Sequence, residues 1–560
     1  MFFSRRWMLC SRKRNIETAC LNYRDFFSIR GNLCYSKRDA SLLILPEGRS
    51  PLSRTSRTIK TASYGVMTKI IMLLFGFAGR TVFIYTIGTT CLGVNGLYSE
   101  IIRILSFSEL GFGTALTFAM YRPVADGDIR TVRKLLRFYR AVNYSVAGII
   151  SVLGLCILPW LTYIVRGADF LTIRELRVYF LIFLFNTAAS YFCTYKFVYL
   201  NALQRPYIMN NVTAVIRVTV SVSQILILLL TKNFLLYLLT ETAILVISRI
   251  SLSFYFRRIV PELNDLGDED LTKKEREPIV RDVRGLIVHR LASIAVHSTD
   301  NLLISMLTNA GVVAVGFVSN YMLLIGAVTD FVTRLIGAAQ AGLGNLAATE
   351  SKERFHQTFL LLNFLTFWIY GFCASAIYAL CPFFIRLWIG ADKMIDGVSF
   401  ALIVVNVYIS GQESAFYYAR IAKGEFNRDK IWAAVQAVVN MVVSVIAAKL
   451  LGLPGIYVGT VVSRLVYSFN RPRIMYDFLF GRSSGIFYRC WIMYFSASFL
   501  SAGLCRACAL VILRDPSWAH FIAAMIPTAV IPNVLFILIF GRCREFAALK
   551  ARALSYIHAS

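Results

Sequence analysis

Charge is scarce in this chain, and acid scarcer still. Charged residues make up 16% of its 560 positions, and 31 Asp and Glu stand against 59 Lys and Arg. A soluble chain of this length needs far more polar surface. Only five histidines occur, at His289, His297, His356, His520 and His558, with no metal-ligand clustering. There is no H-E-x-x-H, no G-x-S-x-G and no P-loop. The reading is therefore of a protein that is not an enzyme and needs no cofactor or metal. The twelve cysteines build no framework. Cys91, Cys156, Cys193, Cys373, Cys381 and Cys490 stand alone in apolar stretches, and the pair Cys505 and Cys508 has no second ligand cluster, so packing is expected of it. Residues 1–60 have no apolar stretch long enough for a secretory signal.

What is present is apolar: 57% of the residues are hydrophobic, with a mean hydropathy of +0.62. Fourteen runs are long enough to span a bilayer, at approximately 64–87, 91–120, 141–165, 178–200, 207–231, 233–256, 286–307, 311–345, 357–385, 396–419, 431–449, 453–476, 485–513 and 518–541. They are continuously apolar rather than alternating, which argues for helices and against a barrel. The fold class expected is all-α, a polytopic membrane protein of about 14 transmembrane helices.

The net charge of +28 is unevenly placed. With the N-terminus in the cytoplasm, the inner loops and the tail hold 30 Lys and Arg, and the outer loops eight. That asymmetry follows the positive-inside rule and puts both termini in the cytoplasm. It accounts for the charge without nucleic acid and leaves a secondary attraction to anionic membrane lipid.

An echo runs through the chain. Gly96 and Ser99 recur as Gly316 and Ser319, at an offset of 220, while Pro159 and Gly167 recur as Pro382 and Gly390, at 223. Gln204-Arg205 recurs as Asn427-Arg428. This implies two six-helix lobes, residues 61–258 and 285–480, related by a pseudo-two-fold axis along the membrane normal, with a substrate site between them. Residues 481–541 add two helices and 542–560 a cytoplasmic tail. Asp128 is expected to cap a short basic helix leading into the third span. The mixed-charge stretch 259–284 reads as a solvated linker, since its acidic residues have the wrong offsets for a calcium loop. Residues 1–60, with thirteen Lys and Arg, read as a poorly ordered basic segment lying upstream of the true start or serving as a leader.

Ionisable residues in spanning helices are costly and mark cavities or pairs. Glu100 and Arg103, and Asp330 and Arg334, have the spacing of local pairs. Arg80 and Arg217 have no acidic partner one turn away. Each is a candidate phosphate clamp, because a guanidinium donates two parallel hydrogen bonds. Each has an alternative partner across helices in Asp300 or Glu109. Asp300, Asp330, Glu413 and Glu109 are candidates for coupling transport to Na⁺ or protons.

Arg80-Thr81-Val82-Phe83-Ile84-Tyr85, Leu92-Gly93-Val94-Asn95-Gly96-Leu97-Tyr98, Ser108-Glu109-Leu110-Gly111-Phe112-Gly113 and Met120-Tyr121-Arg122-Pro123-Val124-Ala125-Asp126-Gly127-Asp128 resemble the bacterial polysaccharide flippases. These belong to the multidrug/oligosaccharidyl-lipid/polysaccharide exporter superfamily. The resemblance implies alternating access and an undecaprenyl-diphosphate-linked oligosaccharide as substrate, with polysaccharide polymerase or assembly proteins as partners in the inner membrane. It transfers to Arg80, Asn95, Gly96 and Glu109, and substrate binding is expected of Arg80, Arg217, Glu100, Arg103 and Asn95. A cation-coupled multidrug antiporter of the same superfamily is the alternative. Its disfavouring feature is that the first helix has Arg80 and no carboxylate.

Overall fold

Each of the fourteen apolar runs contains helix, as continuous apolarity without alternation requires. The computed structural model describes residues 71–106, 112–203, 206–259, 265–281, 283, 294, 298–337, 343–344, 346, 350–423 and 428–559. The basic segment 1–60, Glu109, Gln204-Arg205, His297 and Asn427 lie outside the described residues.

The first half comprises α1 (Ile71–Thr86), α2 (Thr89–Leu105), α3 (Phe112–Ala125), α4 (Ile129–Ile157), the one-turn α5 (Leu161–Ile164), α6 (Ile173–Ala202), α7 (Pro206–Thr231) and α8 (Phe234–Ile259). The second half has α9 (Asp300–Leu307), α10 (Gly311–Gly337), α11 (Lys352–Ile389), α12 (Gly397–Ala422), α13 (Lys430–Leu451) and α14 (Leu453–Phe480). Then come α15 (Gly485–Ile512), α16 (Trp518–Phe540) and the terminal α17 (Arg544–Ala559). Among the described residues, nine helices are long and apolar enough to cross a membrane. Helices α1, α2, α3, α9 and α17 are shorter, and α12 and α14 carry polar groups within their runs. Large apolar side chains such as Leu230, Leu450, Val511 and Leu538 point outward, as lipid-facing residues must.

The duplication is visible in the helix starts. Those of α2, α4, α6 and α7 recur at α10, α11, α12 and α13 after 222, 223, 224 and 224 residues. Gly167 and Gly390, equivalent positions, both have positive φ, 77° and 101°, where a side chain would be strained. The halves meet where α2 crosses α10. A Cβ on Gly93 would lie 1.9 Å from the Val312 carbonyl oxygen, and one on Gly316 2.2 Å from that of Thr89. Val312 and Gly316 stand 223 residues after Thr89 and Gly93, so each helix offers the other the same two positions. The crossing thus pairs Gly316 with Gly93 rather than with Gly96, whose Cβ would meet only Val315 at an ordinary 3.7 Å. Helices α15 and α16 pack on α11 beside the second half.

Two local expectations are corrected. The run 91–120 is not one span: α2 ends at Leu105 with Ser106 as its C-cap, and α3 is a separate helix. Asp128 does cap the next helix, accepting from the Thr131 N–H at 3.0 Å, but that helix is a single piece of 29 residues rather than a short basic helix and a span.

The described part of the stretch 259–284 is not merely a solvated linker. Leu266, Leu271, Ile279 and Val283 are buried against Leu116 and Met120 of α3 and Val132, Leu135, Leu136 and Tyr139 of α4. Its acidic residues sit on the basic start of α4. Arg130 and Lys134 both pair with Glu269, at 2.8 and 2.9 Å, and Arg137 pairs with Asp268 and Asp270 at 3.0 and 3.2 Å. Residues 265–283 form a strap on the first half. The end of the bundle where it lies is called the basic end below, and the opposite end the far end.

Candidate functional site

Helix α1 runs toward the far end, and its Arg80 points at the second half. Its Nη1 donates to Ser319 Oγ of α10 at 3.0 Å. Ser319 in turn donates to the Gly316 carbonyl at the crossing. Arg80 therefore has a neutral hydrogen-bond partner. Gly79 faces Ile225 of α7 at 3.8 Å, so α1 abuts the helix that carries Arg217. Arg217 lies eight residues before Ile225, roughly 12 Å along the helix axis. It is exposed and has no hydrogen bond or ion pair among the described residues. The structure brings neither arginine to Asp300 within salt-bridge distance.

Glu100 and Arg103 form the expected pair at 3.3 Å. Glu100 is the covered member, also hydrogen-bonded to Ser298 and within electrostatic reach of Asp300. Asn95 is half-buried on the same helix, and its carbonyl accepts from Ser99 at 2.8 Å. The expected pair of Asp330 with Arg334 does not form: both side chains are exposed on α10 and no ion pair joins them. One helical turn places the two within range, but each side chain is free to extend into its own surroundings.

The second half gathers its charges inward. A cavity of about 410 Å³ is lined by Asp300, Thr329, Thr333, Tyr370, Asn406 and Arg464, among others. Thr460 on α14 donates to both Asp300 oxygens at 3.4–3.5 Å. One turn on, Arg464 is buried within electrostatic reach of both Asp300 and Glu413. Ser468, another turn on, donates to Glu413. Threonine, arginine and serine thus recur every four residues along one face of α14 and serve two carboxylates from α9 and α12. Toward the basic end, fully buried Asp429 accepts from Arg420 at 2.7 Å and from Tyr467 at 3.1 Å, and lies 3.1 Å from Arg471 Nε. This cluster ties together α12, the start of α13 and α14.

Sequence reasoning missed Arg464, although an arginine inside the run 453–476 is a visible signal of the same kind as Arg80. It missed the Asp429 cluster because Arg420 and Asp429 lie just outside runs and Arg471 in the last turns of one, close to the loops where charge is ordinary. Cys505 is buried among Ala379, Phe383 and other apolar neighbours, a packing position.

Among the described residues, hydrogen bonds join the halves at mid-depth and at the far end. Besides Arg80 to Ser319, Trp388 Nε1 donates to Thr81 Oγ1 at 2.9 Å and the Tyr85 hydroxyl donates to the Trp388 carbonyl at 2.7 Å. Near α5, the Val312 N–H donates to the Arg166 carbonyl at 2.7 Å, Arg166 Nη1 to that of Met306 at 3.0 Å, and Ser305 Oγ to that of Ile164 at 2.6 Å. The far end is shut.

Two halves meet at a glycine crossing, with charged groups at and beside their junction, and this fold has counterparts among solved structures. Among solved structures, that of lipid II flippase MurJ in an inward closed conformation matches with a TM-score of 0.60 over 86% of this chain and 99% of that one, at 13% identity. An inward-facing multidrug resistance MATE family transporter of the MOP superfamily matches with a TM-score of 0.53 over 72% and 94%, at 16% identity. At these identities the likeness is one of fold. No family model matches the sequence, and no curated protein does.

Proposed function

We propose that this protein is a flippase that moves a lipid-diphosphate-linked oligosaccharide across the cytoplasmic membrane by alternating access, for envelope polysaccharide synthesis. The observation that carries this reading is Arg80, a cation between the two halves whose hydrogen-bond partner is a neutral serine. A diphosphate arriving there gains charge-assisted hydrogen bonds without an acidic residue having to be displaced. Arg217 is a second cation with no partner among the described residues, and an arginine at mid-helix is tolerated where it faces water. Asn95, Glu100 and Arg103 line the adjoining face of α2. In this reading, which follows the positive-inside bias, both termini and the basic end face the cytoplasm and the shut far end gives a cytoplasm-facing state. In this reading Asp300 and Glu413, with Asp330 and Glu109, are the groups available for coupling to a cation. Polymerase or assembly proteins would receive the product.

The buried Asp300 of the second-half cavity and the fold shared with MATE transporters favour one other reading, a cation-coupled multidrug antiporter. Proteoliposome flipping of a lipid-diphosphate oligosaccharide separates the two. Arg80→Gln should slow flipping about 10- to 100-fold, the worth of one or two hydrogen bonds to a charged group, while the protein stays folded. Undiminished flipping in the variant would remove the arginine clamp. Drug efflux driven by a Na⁺ or proton gradient, with no lipid flipping, would establish the antiporter.

A further inference from the structure

Helix α1 presents Phe77, Thr81 and Tyr85 at four-residue intervals, one stripe on one face. All three engage a single residue of the second half, Trp388. The Phe77 ring stacks on the indole with centroids 4.3 Å apart and planes 23° from parallel. Thr81 Oγ1 accepts the indole N–H, and the Tyr85 hydroxyl bonds to the Trp388 carbonyl. The receiving oxygen is itself fixed, because Thr81 donates to the Phe77 carbonyl at 2.9 Å. Trp388 is 8% exposed. It stands two residues before Gly390, whose carbonyl-capping N–H and positive φ end α11. Phe384, one turn earlier, touches Phe77 at 5.9 Å and also Trp518 and Phe521 of α16. Elsewhere α1 is thinly covered, with Leu73 and Leu74 46% and 63% exposed.

We infer that Trp388 is the latch of the far end. It holds α1, and with it Arg80, against the second half, and the far end opens only when the indole leaves Thr81. Trp388 touches no substrate and is a positioning residue. Arg80 sits next to Thr81 in the sequence, so release of the latch and freeing of Arg80 from Ser319 are one movement of one helix. That coupling rests on Arg80 being the diphosphate residue, whereas the latch rests on the geometry alone.

Hydrogen exchange of the purified full-length protein tests it. Trp388→Phe keeps a ring for Phe77 to stack on and removes the N–H donor. Amides of residues 87–92 and 308–313 should then exchange about 3- to 10-fold faster, the effect of one lost hydrogen bond, with residues 130–140 unchanged. Trp388→Ala should give a larger rise at the same sites. Unchanged far-end exchange in both variants overturns the latch. So does a uniform rise at both ends, which would make Trp388 a general packing residue. Binding of farnesyl diphosphate, measured in parallel, keeps the two readings apart. Binding that is insensitive to Arg80→Gln, with the latch responding as expected, would count against the proposed substrate alone. Arg80-dependent binding with unaltered exchange in the Trp388 variants would count against the latch alone.

Discussion

The two halves are built on one helix plan and treat charge in opposite ways. In the first, Arg80 rests on a serine and Arg217 has no partner among the described residues, while Glu100 pairs with Arg103 and the other paired acids, Glu269 among them, ride on the outside in the strap. In the second, Arg464 lies between Asp300 and Glu413, and Arg420 and Arg471 share the fully buried Asp429. A buried charge without a partner is expensive, and the second half sets acidic groups beside its buried arginines. The first half leaves positive charge unspent, which an anionic ligand can complete. Duplication supplies the scaffold twice, and the division of labour comes from where the carboxylates fall.

The strongest way to break this comparison is to remove the second half's internal neutralisation. Asp429→Ala strands two buried guanidinium groups and should lower stability by about 3–5 kcal/mol. Thermal unfolding in detergent would register it, and an unmoved midpoint would show that the cluster is wet and weak. A smaller effect should appear where the halves are alike. Gly93→Ala and Gly316→Ala each drive a methyl into the opposing backbone and should each cost about 1–3 kcal/mol, whereas Gly96→Ala should be nearly neutral. Unequal penalties at Gly93 and Gly316 would mean that the crossing is less symmetric than it looks.

The smallest effect belongs to the strap. Its two cationic partners, Arg130 and Lys134, hold the Glu269 carboxyl down at about 2, against an ordinary 4.5. Its pairing therefore stabilises the docked strap fully above pH 4.5 and is lost as the pH falls through about 2. The group is solvent-exposed, so Glu269→Gln at neutral pH should change the melting temperature little while making residues 265–272 easier to cleave with protease. Cleavage as slow as in the wild type would leave docking to Leu266, Leu271, Ile279 and Val283 alone.

Much of this architecture was legible from the runs themselves, because a spanning helix must satisfy its backbone internally and advertises itself by continuous apolarity. The echo was legible too, though Gly96 drew attention away from Gly93, the glycine that the crossing uses; only the backbone approach distinguishes them. What stayed hidden was non-local. The strap's four apolar residues are spaced irregularly among charges, and their partners lie more than a hundred positions earlier in α3 and α4. Arg80 could be singled out as lacking a local acid, but its bond to Ser319 spans 239 positions. Trp388 reads as one more aromatic near a helix end until α1 is placed against it.

The α2–α10 crossing has a consequence for ancestry. Thr89 and Gly93 on one side meet Val312 and Gly316 on the other, and the same offset relates both pairs. Such a contact is self-complementary, the kind that two identical subunits make across a dimer axis. A single six-helix gene product could have formed it with its own copy before any fusion. In that homodimer every change in charge would have been made twice, facing itself across the axis. A single chain is under no such constraint: here the glycines at the crossing match while the charges on either side differ.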